Sequence, residues 1–435
     1  MRLPPDPPSD PARAARAWRC STSGATPVAM IDVAGLSRSQ LAVLGREYLL
    51  FGHLLNRAAL PHVHMQIGAE AREAIAIDEW MGASPVYTRR MQREMGFVGD
   101  TVETIFKGLQ IDVGFPHQYM DVRYRLESPH RGAFWLPHCG ALLEIEQYGE
   151  AAVRSMCHNI EDPTFDASAV ASNPRARVRP VHRPPRVPAD RMPHCHWEVT
   201  IDPAVEPVRE APITGRVATS RLARFAFDPV PADGGEGWND YAGAFDPDFV
   251  LERLSRTALL RVCREILTQN HLLVRSLLIA IAERAGDDAA RRIAAAQWIG
   301  AGAVASTRLR RAFAIAGDDA GAIAAVLARH PAFVPGYLRA SLDGSRLAIA
   351  DCEALREGDA YSWYALLDDG PQPGLDAMVQ AVNPRARCVP AAPRAGERFA
   401  WEIVVDPAAP PVETPMEVTM VANTNTAGFV FRAPS

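Results

Sequence analysis

The stretch Leu136–Glu198 carries the side chains best suited to chemistry. It holds Cys139, Cys157 and Cys195, three of the seven cysteines, and each has a histidine beside it: His138, His158, and both His194 and His196. Thiolates with imidazole and carboxylate neighbours make a zinc or other transition-metal site. The same groups make a nucleophile with its base. In the metal reading Cys139, Cys157, Cys195 and His196 are the ligands, of zinc first, with iron or no metal as alternatives. Glu161 or Asp162, just after Cys157, is then a general base or the partner of a ligand histidine. In the metal-free reading Cys157 attacks a C=N or C=O carbon and His158 moves the proton. In a third reading the cysteines merely pack, and a strand around Cys195 turns Cys195 and Trp197 inward and both histidines outward.

Further candidates lie outside this core. Gly114-Phe-Pro-His-Gln-Tyr119 sets His117, a catalytic candidate, and Tyr119, a substrate contact, at a turn entering a strand. Arg175, Arg177 and Arg179 alternate along one strand face, and Arg175 with Arg177 could hold a substrate carboxylate bidentately. His62 and His64 read as part of a polar loop, His182 as solvent-facing, and Asp78 and Glu79 as a solvated helix face.

The elements that must position these residues occur twice. Arg46-Glu-Tyr-Leu-Leu-Phe-Gly-His-Leu-Leu-Asn-Arg57 lines up with Arg264-Glu-Ile-Leu-Thr-Gln-Asn-His-Leu-Leu-Val-Arg275 at a shift of 218 residues, and the shift continues through Trp80/Trp298, Gly82/Gly300 and Tyr119/Tyr337. Later pairs keep the order: Cys139/Cys352, Asn173/Asn383 and Trp197/Trp401. At the last shift Val217–Phe227 runs beside Val421–Phe431. The first copy alone keeps Cys157, His158, His194, Cys195, His196 and His117. The corresponding positions hold Tyr364, Ala365, Arg398, Phe399, Ala400 and Pro335.

Apolar spacing of three and four residues predicts helices over 38–60, 68–95, 251–285 and 289–315, with Ser37 and Asp248 as N-caps. Alternation predicts strands over 119–126, 177–181, 197–201 and 217–227, and 140–158 reads as a helix laid across a sheet. The expected fold is α+β: two tandem copies, each a helical layer plus a mostly antiparallel sheet, packed as an intrachain pseudo-dimer. The boundaries are 1–37 for a disordered arm, 38–230 for an active copy, 231–255 for a linker and 256–435 for a degenerate scaffold copy.

The order Cys-x-x-hydrophobic, Cys followed by an acidic pair, Asn-Pro, then Cys-x-Trp resembles the L-2-amino-thiazoline-4-carboxylic acid hydrolase-like family, and more distantly the 4-vinyl reductase-type domain. The matching positions are Cys139, Cys157, Asn173 and Cys195. The resemblance implies an α+β domain and opening of a small sulfur/nitrogen ring that carries a carboxylate. The vinyl-reductase relatives imply a small-molecule-sensing or zinc-bearing domain. The duplication, the extra histidines and the Pro/Arg-rich insertion before Cys195 depart from the pattern.

Composition bounds the function classes. The net charge of −5 argues against nucleic-acid binding. No apolar run reaches membrane-spanning length, and unpaired cysteines point to a reducing, cytoplasmic setting. Together with the Cys/His set of the first copy, the resemblance implies a hydrolase or lyase for a small, anionic, heterocyclic molecule in that copy. A homo-oligomer is compatible with it. The rival expectation is a binding or scaffold protein with a structural metal.

Overall fold

The computed structural model describes residues 29–423. The fold is α+β. Four long helices form one layer: α1 (Arg38–Gln66), α2 (Ala69–Glu94), and, in the second half, α5 (Arg256–Ala285) and α6 (Asp287–Ala312). Between them come α3 (Glu161–Val170) and α4 (Pro212–Ala218), and after them α7 (Pro373–Gln380) and α8 (Met416–Asn423). Two antiparallel sheets complete the fold. The first has the order β2-β3-β5-β4, from Met120–Ser128, Arg131–Cys139, Cys195–Ile201 and Ala176–His182. The second has the order β6-β7-β9-β8, from Ala340–Asp343, Arg346–Ala350, Glu397–Val405 and Ala386–Pro390. Strand β1 (Ala29–Met30) adds to its β6 edge.

Local chemistry explains the helix starts. Ser37 caps α1: its Oγ accepts from Gln40 N at 3.3 Å, and Ser37 N donates to Gln40 Oε1 at 3.0 Å, a reciprocal capping box. Asp248 caps no helix. The chain is still irregular there, and Ser255 caps α5 by accepting from Ala258 N at 3.2 Å. The expected strand over 217–227 is also corrected. Its apolar residues belong to the end of α4, a turn of helix at Arg221–Arg224, and an extended run through Phe225 and Phe227. Its partner region beyond Asn423 lies outside the described residues. The single helix expected over 140–158 is broken at Gly149, whose φ of 88° favours glycine. The chain then passes through Glu150–Arg154 and a π-helical turn, Ser155–Ile160, into α3.

The arm expected over 1–37 lies outside the described residues as far as residue 28. From Met30 the chain packs, with Ile31, Val33 and Leu36 buried.

The halves interlock through corresponding contacts. Arg90 on α2 pairs with Glu265 on α5, and Arg308 on α6 pairs with Glu47 on α1. Arg38 Nε donates to Leu254 O at 2.8 Å, and Arg256 Nε to Leu36 O at 2.9 Å. Within each half the Asn-Pro turn is tied down alike. Asn173 donates to Asp100 O at 2.9 Å and Asn383 to Asp318 O at 2.8 Å.

The hydrophobic interior is shared unequally. The first sheet has its own core around Phe106, Phe134 and Trp197. The second sheet merges into the helical core, which stacks Trp298 on Trp363 at 5.8 Å and also buries Trp401.

Candidate functional site

Three cysteines meet in the core of the first sheet. Cys139 ends β3, where its Sγ accepts from Leu142 N at 3.4 Å and its own N–H donates to His194 Nδ1 at 3.2 Å. Cys195 opens β5 opposite Leu136. Cys157 comes from the π-helical turn. All three are buried, and the Glu161 carboxylate acts electrostatically on each.

That environment sets their chemistry. Burial is the largest cause in every case. It pushes Cys139 up to about 12 and holds Cys157 and Cys195 well above the usual thiol range. Burial also raises Glu161 to about 8, opposed by Arg183 and assisted by Asp162. At neutral pH the cluster therefore carries thiols, and the reactive form of cysteine is the thiolate.

The expected metal set does not assemble. Along β5, Cys195 and Trp197 face the core while His196 faces away, with its ring 5.9 Å from Trp135 and 6.1 Å from His182. Among the described residues no three His, Cys, Asp or Glu side chains converge as a metal ion requires.

Other candidates are held elsewhere. His158 Nε2 lies 2.6 Å from Pro184 O. Arg175 donates to Val205 O, and Arg177 to Ala176 O at 2.8 Å and to Glu206 O. Both arginines fasten the loop after β5 and are not brought to the thiols. His182 Nε2 meets Pro193 O at 3.0 Å. Asp78 pairs with Arg284 at 2.5 Å. Glu79 corrects the solvated-face expectation: it is wholly buried, with neither carboxylate oxygen hydrogen-bonded.

His117 lines a cavity of about 1000 Å³ that spans the two halves. β2, α1 and α6 line it, together with residues of the segment Pro247–Glu252 and of α8. The His117 ring Nε2 is 2.6 Å from Gln110 O, and the ring packs edge-on to Phe249 at 6.4 Å. Burial lowers its pKa, and Arg46 lowers it further, against the Gln110 carbonyl and Glu252. The imidazole is therefore neutral at pH 7. A carbonyl only accepts, so Nε2 carries the proton and Nδ1 keeps its lone pair.

The cavity is rich in arginine. Arg308 grips Glu47 through Nε at 2.7 Å and Nη2 at 3.1 Å. Arg46 pairs with Glu252, and Arg123 with Asp121 at 2.8 Å and Asp248 at 3.5 Å. Exposed Arg311 at the wall has no ion-pair partner among the described residues.

Tyr119, expected to touch substrate, is buried beside this cavity. Its hydroxyl donates to Glu144 Oε2 at 2.8 Å, and Arg57 contacts both. The second half repeats this group: Tyr337 donates to Glu357 Oε2 at 3.0 Å, and Arg275 pairs with Glu357 at 3.0 Å. Sequence reasoning missed this triad and the cavity arginines. The signal was there, because Arg57/Arg275 and Tyr119/Tyr337 align at one shift.

No protein-family profile, curated protein or solved structure matches this chain. Among the described residues no helix is long and apolar enough to cross a membrane.

Proposed function

We propose that the protein is a hydrolase or lyase that acts on a small anionic molecule, of the carboxylate-bearing heterocycle class, in the cavity between the halves. One observation carries this reading. His117 is a neutral imidazole with one nitrogen fixed to Gln110 O, so its other nitrogen remains a proton acceptor in a residue that lines an arginine-rich cavity. Volumes of about 300–1,000 Å³ are usual for small-molecule sites.

The mechanism follows from those groups. Arg311, exposed at the cavity wall, attracts and orients a carboxylate. His117 Nδ1 takes a proton from water as the oxygen bonds to the electrophilic ring carbon. The ring bond then breaks, and the imidazolium returns the proton to the leaving nitrogen or sulfur. Atoms balance with one water consumed. The three cysteines stand outside this step, buried in the core of the first sheet.

We read residues 38–230 and 256–435 as tandem copies packed as a pseudo-dimer and joined by 231–255. The reciprocal ion pairs support this. The six described cysteines are unpaired, which supports a reducing, cytoplasmic setting. A non-catalytic binding protein is the second reading. What favours it is that Arg46, Arg123 and Arg308 are already paired with cavity acids.

Equilibrium dialysis against small carboxylates tests the site. Wild type should retain L-2-amino-thiazoline-4-carboxylate, and a cavity-filling Val304→Trp variant of unchanged fold should lose it. Equal retention by both would remove the cavity from the function.

A further inference from the structure

In the second half, the place corresponding to this cavity is filled by the chain itself. After α4, residues 220–231 run between α2 and α5. Arg90 Nη1 donates to Ala223 O and Phe225 O, both at 2.9 Å, while its other nitrogens hold Glu265. Arg264 donates to Asp228 O at 3.0 Å and lies over the Phe227 ring at 5.7 Å. The Phe225 ring packs on Tyr337 at 5.4 Å, next to Gly336. The backbone carbonyls of an extended segment need donors when buried, and these arginines supply them.

The cavity presents the same frame. Arg308 holds Glu47 with Nε and Nη2 as Arg90 holds Glu265. Arg46 corresponds to Arg264, and Gln118 to Gly336, at the shift that pairs the long helices. The entry to the frame corresponds as well. α4 packs on α2 beside Gly82, and α8 packs on α6 beside Gly300. Val421 and Ala422 of α8 already line the cavity. The sequence that follows repeats the spacing of the filling segment: at the shift that pairs Trp197 with Trp401, Phe429 and Phe431 fall opposite Phe225 and Phe227.

We propose that the cavity is the docking groove for the chain's own segment Thr424–Ser435, with Phe429 and Phe431 as its aromatic anchors. This segment lies outside the described residues. Docking does not depend on the small-molecule reading. Where both hold, segment and small anion compete for the groove.

The test uses the full chain carrying Phe429→p-benzoylphenylalanine, which keeps an aromatic anchor while adding a photocrosslinker. Irradiation followed by peptide mapping should place the crosslink within 43–57, 118–124 or 304–312. A second variant, Phe431→p-benzoylphenylalanine, covers any failure of the first to fold. In parallel, a labelled peptide of sequence 424–435 should bind a chain ending at Asn423. Replacing both its phenylalanines by alanine should weaken binding roughly tenfold or more. Crosslinks confined to other surfaces, or equal binding of the two peptides, would overturn the proposal. Dialysis of L-2-amino-thiazoline-4-carboxylate against full and shortened chains separates the two ideas. Crosslinking without carboxylate retention leaves docking standing and removes the small-molecule reading. Retention without crosslinking does the reverse.

Discussion

Arg90 and Glu265 form a bidentate ion pair across the two halves, with Nε and Nη2 at 2.9 and 2.7 Å from the two carboxylate oxygens and both side chains buried. Removing one partner strands a buried charge. Glu265→Ala should therefore cost on the order of 3–5 kcal/mol in unfolding free energy. Arg308→Ala, at the corresponding but more open pair, should cost less. Urea unfolding of both variants checks the order, and a Glu265→Ala loss no larger than that of Arg308→Ala would contradict it.

Glu161 makes stability depend on pH. Its folded pKa of about 8 lies above the ordinary 4.5, so the folded state holds the proton more tightly than the unfolded chain. Stability from this group therefore falls as pH rises from about 4.5 to about 8. Glu161→Gln should match wild type near pH 4.5 and exceed it above pH 8, by on the order of a few kcal/mol. Melting curves across that range would show a constant difference if the carboxyl were solvated instead.

Glu79 is fully buried with no hydrogen-bond partner, and burial holds its pKa well above the carboxylate range. At the corresponding place Gln297 donates to Leu55 O at 3.2 Å and accepts from Trp363 Nε1 at 3.0 Å. Glu79→Gln should raise stability at pH 8 by about 1–2 kcal/mol. A lower melting temperature at that pH would show that Glu79 has a role beyond packing.

Cys139, Cys157 and Cys195 should resist N-ethylmaleimide in the native protein at pH 7 and react after denaturation, because buried thiols keep their protons. Mass mapping of the labelled sites decides it. Fast native labelling of Cys157 would restore it as a nucleophile.

These outcomes bear on what the sequence could reveal. Period and turn chemistry made α1, α2, α5, α6 and strands β2, β4 and β5 legible, and β5 shows it most plainly, with Cys195, Trp197, Val199 and Ile201 buried in alternation. The packing alternative for Cys195 and Trp197 was also readable, because a strand sends successive side chains to opposite faces. The site was harder. Spacing placed histidines beside cysteines, but neighbours along a strand point apart, as Cys195 and His196 do. The cavity joins β2 to α6, residues far apart in sequence, so no local motif announces it. His117 was singled out because Pro335 stands opposite it at the 218-residue shift, while the arginines around it fell inside ordinary helical pattern.

His117 also fixes an expected pH profile. Its pKa is lowered from the ordinary 6.5, and the reaction needs the neutral ring. Turnover should be flat above about pH 6.5 and decline only on the acid side. A profile that rises between pH 7 and 9 would point to another base.

The most direct measurement is turnover of L-2-amino-thiazoline-4-carboxylate, with the ring-opened product read by mass spectrometry, for wild type and His117→Gln side by side. Wild type should open the ring, and His117→Gln should still bind the compound but turn it over roughly 10²–10⁴ times more slowly. No opening by wild type, or equal rates for the two proteins, would contradict a hydrolase that uses His117 as its base.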